Sequence, residues 1–343
     1  MALDDMSAYE HTAWEHSLDV LYAPTGGRFL PMRARESARH AVTRTKDWVG
    51  ELPGAEQLRD IVERVLDGSL ELTFQPALRS VRPERTVRRF ARRHPSVKSM
   101  DDIRGLELRD CDDFVPPRTG YTLAAGAQGS ATALAVTGAE VSTTVSGGTT
   151  AAVAIAAVAT DVVASMALMG RSIGVVASRY GYDVRLPGEE VFAMGVLSLG
   201  AAGSLAAKVD ALSALSRLTQ HMMRRASWRQ LSEHVLVRVV ARAYQLLGLR
   251  LTQAKLAQAV PVIGIGINAA LSAHLTARTF QRAQAVYQLR FLSERYDIDP
   301  KEWMRGPTHA QAIDLAGAEE VVDIEEILEE EASRADNADE DDA

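Results

Sequence analysis

Apolar positions recur at intervals of three and four along most of this chain, the spacing of helices with one buried face. Residues 8–22 and 33–49 read as two amphipathic helices, with Pro24, Gly26, Gly27 and Pro31 as turn punctuation between them. A third is predicted from Ala55 to Leu66, with Leu58, Ile61, Val62, Val65 and Leu66 on one face and a stop near Gly68. Further on, Gly147-Gly148 makes a helix–helix turn with Thr149 or Thr150 as N-cap, and Gly181 suits a left-handed C-cap. Pro187 then opens a helix whose first turn holds Glu189 and Glu190, favourable against the helix dipole. Long helices are expected over 190–207 and 208–247, and another ending near Tyr296. No two alternating stretches are paired by a hairpin turn, so the chain reads as an all-α helical bundle.

The centre of the chain has a different texture. Residues 119–139 and 141–160 are uncharged, and each is long enough to cross about 30 Å as a helix. The first has only Tyr121, Leu123, Leu134 and Val136 as large apolar residues, too few to enter a bilayer unaided. The segment Ala151–Met169 is more apolar, yet Asp161 near its middle would cost about 2.5–3.5 kcal/mol in a membrane. Small residues recur every fourth position, as Gly129, Ala133 and Thr137 and again as Gly170, Gly174 and Ser178. Such ridges let helix backbones approach closely, which predicts central glycine/alanine-rich apolar helices with small-xxx-small packing. Asp161, among Val158, Val162, Val163 and Met166, must meet a polar partner in the core or line a cavity. Arg171 shares roughly its face but lies about 15 Å up the axis. The partner is therefore expected on another helix, with Asp161 buried.

Of 343 residues, 47% are hydrophobic but only 6% aromatic, so alanine, valine and leucine build the core and disorder is excluded over most of the length. The single cysteine, Cys111, excludes a disulfide framework and any CxxC motif. The opening MALDDM is acidic and lacks an apolar stretch, so no secretory signal is read and a cytoplasmic protein is expected. The net charge of −7 hides an asymmetry: Glu319 to Ala343 holds thirteen acidic residues and one basic one, so the remainder is net positive. Val321–Leu328 has an amphipathic pattern, whereas the EEEASRADNADEDDA that follows is expected to be disordered. Three regions result: a helical N-terminal region over 1–97, a helical core over 98–300, and an acidic, largely disordered tail over 301–343. The tail reads as solubilising, or as docking on a basic partner or on the protein's own basic face.

Between Arg79 and Lys98 stand seven arginines and one lysine against the single Glu84. Arg82, Arg85, Arg89 and Arg92 would share one helical face, suited to anionic lipid headgroups or to the phosphates of a nucleic acid. Only Phe90 is at hand for base stacking, and no helix-turn-helix or zinc pattern accompanies the run. A solvated basic face is the plain alternative. Catalytic signatures fail. Gly264-Ile265-Gly266-Ile267-Asn268-Ala269 fits a dinucleotide fingerprint in letters, but Pro261 spoils the strand it needs and no acid stands about 20 residues on. P-loop, HExxH and GxSxG patterns do not occur, and the eight histidines are scattered. No cofactor and no metal are expected.

The order of Ala124-Ala125-Gly126-Ala127-Gln128-Gly129, Asp161, Tyr180-Gly181-Tyr182-Asp183, Pro187-Gly188-Glu189-Glu190, Lys255, Pro261 to Asn268, and Arg290-Phe291-Leu292 resembles the bacterial EcsC family over about residues 98–296. The stretch from Pro261 to Asn268 is shorter than that family's pattern. The resemblance marks Tyr180, Tyr182, Asp183, Glu190, Lys255, Asn268 and Arg290, beside Asp161 and Arg171, as polar residues of functional or structural weight. It carries over no catalytic residue. The family takes its name from a protein encoded beside the subunits of an ABC transporter, which implies transporter subunits as partners. The expected function is a non-enzymatic, intracellular helical protein that binds lipid or the cytoplasmic membrane surface, peripherally on its inner face. Two alternatives stand beside it: a hydrolase of a lipid or envelope component using Asp161, Tyr180 and Asp183, and a nucleic-acid-binding protein using the Arg79–Lys98 run. The ligand and the oligomeric state are not legible in the sequence.

Overall fold

The computed structural model describes Leu3 and residues 5–23, 55–117, 149–224, 233–258, 266–306 and 322–341; every regular element among them is helical, with no strand. Helix α1 spans Ala8–Tyr22 and opens on a capping box, in which the Ser7 hydroxyl accepts from the Glu10 N–H and the Glu10 carboxylate accepts from the Ser7 N–H. Helix α2 is Ala55–Leu66, and a π-helical turn at Leu70–Phe74 runs into α3, Gln75–Leu78. Three short helices follow: α4 (Pro83–Ala91), α5 (Met100–Arg104) and α6 (Leu108–Asp112). The long elements are α7 (Thr149–Arg179), α8 (Pro187–Ala201), α9 (Leu205–Met223), α10 (Glu233–Gln258) and α11 (Gly266–Tyr296). A 3₁₀ turn at Pro300–Arg305 and α12 (Ile324–Asp341) complete the order.

Helices α7 and α11 pack along each other at the centre. Around them, α2, α3 and α10 lie on α7, α1 lies on α11, and α8 fits between α9, α10 and α11. Trp14, Val62, Phe74 and Phe90 share one core with Val162, Met166, Phe192, Tyr244 and Tyr287, so the described residues before 98 and those after them bury a common interior. Gly170 and Gly174 explain why α3 sits so close to α7. A Cβ on Gly170 would strike the Phe74 ring, and one on Gly174 the Leu78 carbonyl oxygen. Gly181 ends the α7 region with φ +83, the left-handed conformation that favours glycine. The helix Val158–Arg179 is the one element, among the described residues, long and apolar enough to cross a membrane, but 72% of its apolar window is buried against other helices.

Three sequence expectations are corrected. The boundary placed at 207/208 falls instead at 202–204, where Ser204 caps α9 by accepting from the Ala207 N–H at 3.0 Å. The helix expected over 208–247 is two, α9 ending at Met223 and α10 beginning at Glu233. The acidic stretch after Leu328, expected to be disordered, continues as helix α12 to Asp341. Tertiary docking supplies what its propensity lacks. Val322, Ile324, Ile327 and Leu328 are buried, Arg217 pairs with Asp323 at 2.9 Å, and Arg238 pairs with Glu331 at 3.0 Å. The predicted helix 33–49 and the Gly129/Ala133/Thr137 ridge lie outside the described residues, as does Pro261–Ile265.

Candidate functional site

Pro83 begins α4 because its fixed φ suits the first helical position, and Arg82 before it is extended. Phe90 fixes the rotation of this helix. It is fully buried, with its ring centroid 4.1 Å from that of Phe114. Pro83 and Thr86 are buried on the same side, and Arg179 donates to the Thr86 hydroxyl at 3.5 Å. Arg82, Arg85, Arg88, Arg89, Arg92 and Arg93 are therefore turned outward. Four of them, Arg85, Arg88, Arg89 and Arg92, line an open groove of ≈ 560 Å³. Arg82 stands at the N-cap beside the groove, and Arg88 takes the place the sequence reading gave it. Adding the position three beyond Arg85 to the face would have found Arg88.

Two of the groove arginines, Arg88 and Arg89, touch neutral groups, and Arg93 outside the groove shares the ring of one of them. The Arg89 guanidinium lies 5.6 Å from the Phe114 ring centroid and Arg93 lies 5.0 Å from it, while Arg88 Nε donates to the Glu84 carbonyl at 3.2 Å. The nearby acids are engaged elsewhere: Asp113 with Arg93 at 3.0 Å, and Glu84 with Arg185 at 3.4 Å. Among the described residues, none of the four groove arginines makes an ion pair with a carboxylate.

A second polar constellation gathers round Asp112. Its carboxylate accepts from Tyr9 Oη at 2.7 Å, Tyr180 Oη at 2.5 Å and Gln288 Nε2 at 2.8 Å. Gln288 Oε1 in turn accepts from Ser17 at 2.9 Å. Burial raises the Asp112 pKa, against the lowering effect of the three donated bonds. Burial, and then the neighbouring Asp112 charge, hold the Tyr180 hydroxyl well above its ordinary value. The adjacent Cys111 thiol is also pushed up, first by burial. Tyr9 meanwhile lines a half-open cleft of ≈ 430 Å³ with Glu10, Arg109, Arg295 and Tyr296, a wall of both charge signs. Burial works against the Glu10 carboxylate, but hydrogen bonds from Ser7 and Tyr296 keep its pKa below the usual value.

Arg290 is an internal clamp. At 2% exposure its two terminal nitrogens each donate to Glu189 at 2.7 Å, and Nε donates to Glu294 at 2.8 Å. Its guanidinium lies 4.1 Å from the Tyr182 ring centroid and 4.4 Å from that of Phe192. Burial opposes its charge, yet Glu189 and Glu294 raise its pKa well above the ordinary value. The Tyr182 hydroxyl is buried with no hydrogen-bond partner among the described residues.

The residues singled out from sequence thus do not converge on one centre. Tyr182 and Arg290 meet; Tyr180 turns to Asp112; Glu190 pairs with Arg79; Asp183 pairs with Arg185 at 2.9 Å. Asp161 is 3% exposed, as its apolar surroundings predicted, while Arg171 is exposed and donates to Ser80 at 3.2 Å. The side chains of Lys255 and Asn268 lie outside the described residues. Tyr180 and Asp183, two members of the hydrolase set, bind separate partners. Asp112, Tyr9 and Gln288 went unnoticed in the sequence, and Glu189 was read only as a first-turn acid of its helix. Leu108, Cys111 and Asp112 at helical spacing signalled an inward carboxylate, and Glu189 stands beside Glu190. Among the described residues no three His, Cys, Asp or Glu side chains group as a metal site.

The model of the EcsC protein family matches residues 55–292. The matched span begins upstream of residue 98, where the motif resemblance starts, and so takes in α2 and the arginine-bearing α4. Comparison with curated proteins and with solved structures found no match.

Proposed function

The chain belongs to the EcsC protein family, and from that premise we propose that it is a non-enzymatic protein that attaches peripherally to the inner face of the cytoplasmic membrane, binding anionic lipid through α4. The observation that carries this reading is the outward row of arginines, four lining one groove without a carboxylate partner among the described residues. Each arginine near an anionic leaflet contributes about 1 kcal/mol, so four give reversible, salt-sensitive attachment rather than permanent anchoring. Insertion is not needed, because the apolar surface of α7 is occupied by neighbouring helices. A place beside transporter subunits accords with that location.

The other readings have less behind them. A hydrolase needs an activated nucleophile, whereas the Asp112 hub has tyrosines and a glutamine but no histidine, and burial suppresses ionisation of Cys111. A nucleic-acid binder would use the same charges, but Phe90 is wholly buried and offers no stacking face. The test is co-sedimentation with vesicles of zwitterionic lipid alone or mixed with phosphatidylglycerol. Binding only to the anionic vesicles, released by high salt and abolished by Arg85→Glu with Arg92→Glu, is expected. Binding indifferent to those reversals, or recovery of the protein only in detergent, refutes the reading. Steeply salt-dependent DNA binding without vesicle binding replaces it with the nucleic-acid one.

A further inference from the structure

The arginine groove has more definition than a diffuse positive surface requires. Arg88 and Arg89 stand three and four residues beyond Arg85, and Arg92 stands four and three beyond them, spacings that place those Cβ atoms about 5–6 Å apart. From Arg85 to Arg92 the helix axis advances about 10 Å. Two adjacent guanidinium groups can therefore grip a single phosphate from two sides. The groups are also preoriented. Phe114 covers one face of Arg89, and the Glu84 carbonyl fixes Arg88 through Nε. Stacking and a single Nε bond leave the terminal N–H groups of these arginines for a ligand, and such ordering in advance reduces the entropy lost on binding. Phe90 and Thr86 hold the helix itself against the core.

Resting on the membrane reading above, we infer that this groove is a headgroup site for lipids that carry a phosphomonoester. A phosphate monoester bears about −1.5 to −2 charges at pH 7 and three terminal acceptor oxygens. A phosphodiester headgroup such as phosphatidylglycerol bears one charge and two such oxygens. Paired arginine forks meet the extra charge and third terminal oxygen of a monoester with further charge-assisted bonds that a diester does not offer. The groove therefore selects by headgroup chemistry, where a diffuse basic face would select by surface potential alone.

The experiment measures binding of the full-length protein to phosphatidic acid vesicles and to phosphatidylglycerol vesicles adjusted to the same surface potential. Affinity for phosphatidic acid is expected to be higher by about tenfold or more, the contribution of one charge-assisted hydrogen bond. Arg88→Gln with Arg89→Gln should erase that preference. Arg82→Gln with Arg93→Gln removes the same charge, and also one guanidinium from Phe114, but leaves the groove lining intact. This pair should weaken binding to both vesicles equally and keep the preference, with unchanged circular dichroism in both variants. Equal binding to the two lipids, or equal loss of preference in the two variants, overturns the headgroup site while leaving membrane attachment in place. Binding to neither vesicle overturns both. Inorganic phosphate that competes as well as phosphatidic acid at equal concentration overturns the lipid as source and makes the site one for a free anion.

Discussion

Replacing Arg290 by methionine should be among the most damaging single changes in this protein. Methionine roughly fills the space between Tyr182 and Phe192 but removes the cation that faces Glu189 through two bonds of 2.7 Å. Glu189 is itself buried at 8% exposure, so its carboxylate is left in the interior without that countercharge. Glu294 is more exposed and can turn to water. Breaking a buried pair from one side costs about 3–5 kcal/mol, against a total stability of about 5–15 kcal/mol for a typical domain. The pair itself is worth far less, because two charges had to be desolvated to form it. Arg290→Met combined with Glu189→Leu should therefore recover most of the loss. Arg290→Lys should fall between, since a point charge replaces a bidentate, ring-stacked fork. Urea unfolding followed by circular dichroism gives the three free energies. If Arg290→Met costs under about 1 kcal/mol, or the double variant is no more stable than the single one, the account of this clamp is wrong.

Lys208 is buried, with its ammonium donating to the Ala23 carbonyl, and burial first and then Arg282 and Arg278 lower its pKa to about 7. The unfolded chain keeps that proton up to the ordinary lysine value, so folding must shed it between there and about 7. Stability should fall as pH drops through this window, by up to about 1.4 kcal/mol per unit, and then level off. Lys208→Met should flatten the slope in unfolding titrations over the window, and parallel slopes for the two proteins would contradict the assignment. Gly174→Ala should cost about 1–3 kcal/mol in chemical denaturation, because its new methyl meets the Leu78 backbone oxygen and a backbone cannot step aside as a side chain can. An alanine variant of parental stability would show that α3 is not seated against α7 in this way. Asp161→Leu should destabilise by about 1–3 kcal/mol by stranding the polar group that the buried carboxylate engages; unchanged stability would sink that reading.

Much of the architecture was legible locally. A start at Thr149 after two glycines, a stop at Gly181 and a start at Pro187 follow from backbone preferences that act within one or two residues. The burial of Asp161 followed from the valines and methionine on its own helix, and the arginine face from three- and four-residue spacing. What the sequence could not supply depends on partners far along the chain. Phe114 lies against the guanidinium groups of Arg89 and Arg93, and nothing near α4 announces it. The Asp112 hub needs residues 9, 112, 180 and 288 to converge, and the Arg290 clamp joins positions 101 apart. The acidic tail shows the division most directly. Its composition favours disorder, because it has little apolar surface to offset chain entropy. Only when Ile324, Ile327 and Leu328 are buried against the packed helices, and Glu331 meets Arg238 and Arg242, does helix α12 gain contacts that its own residues cannot provide.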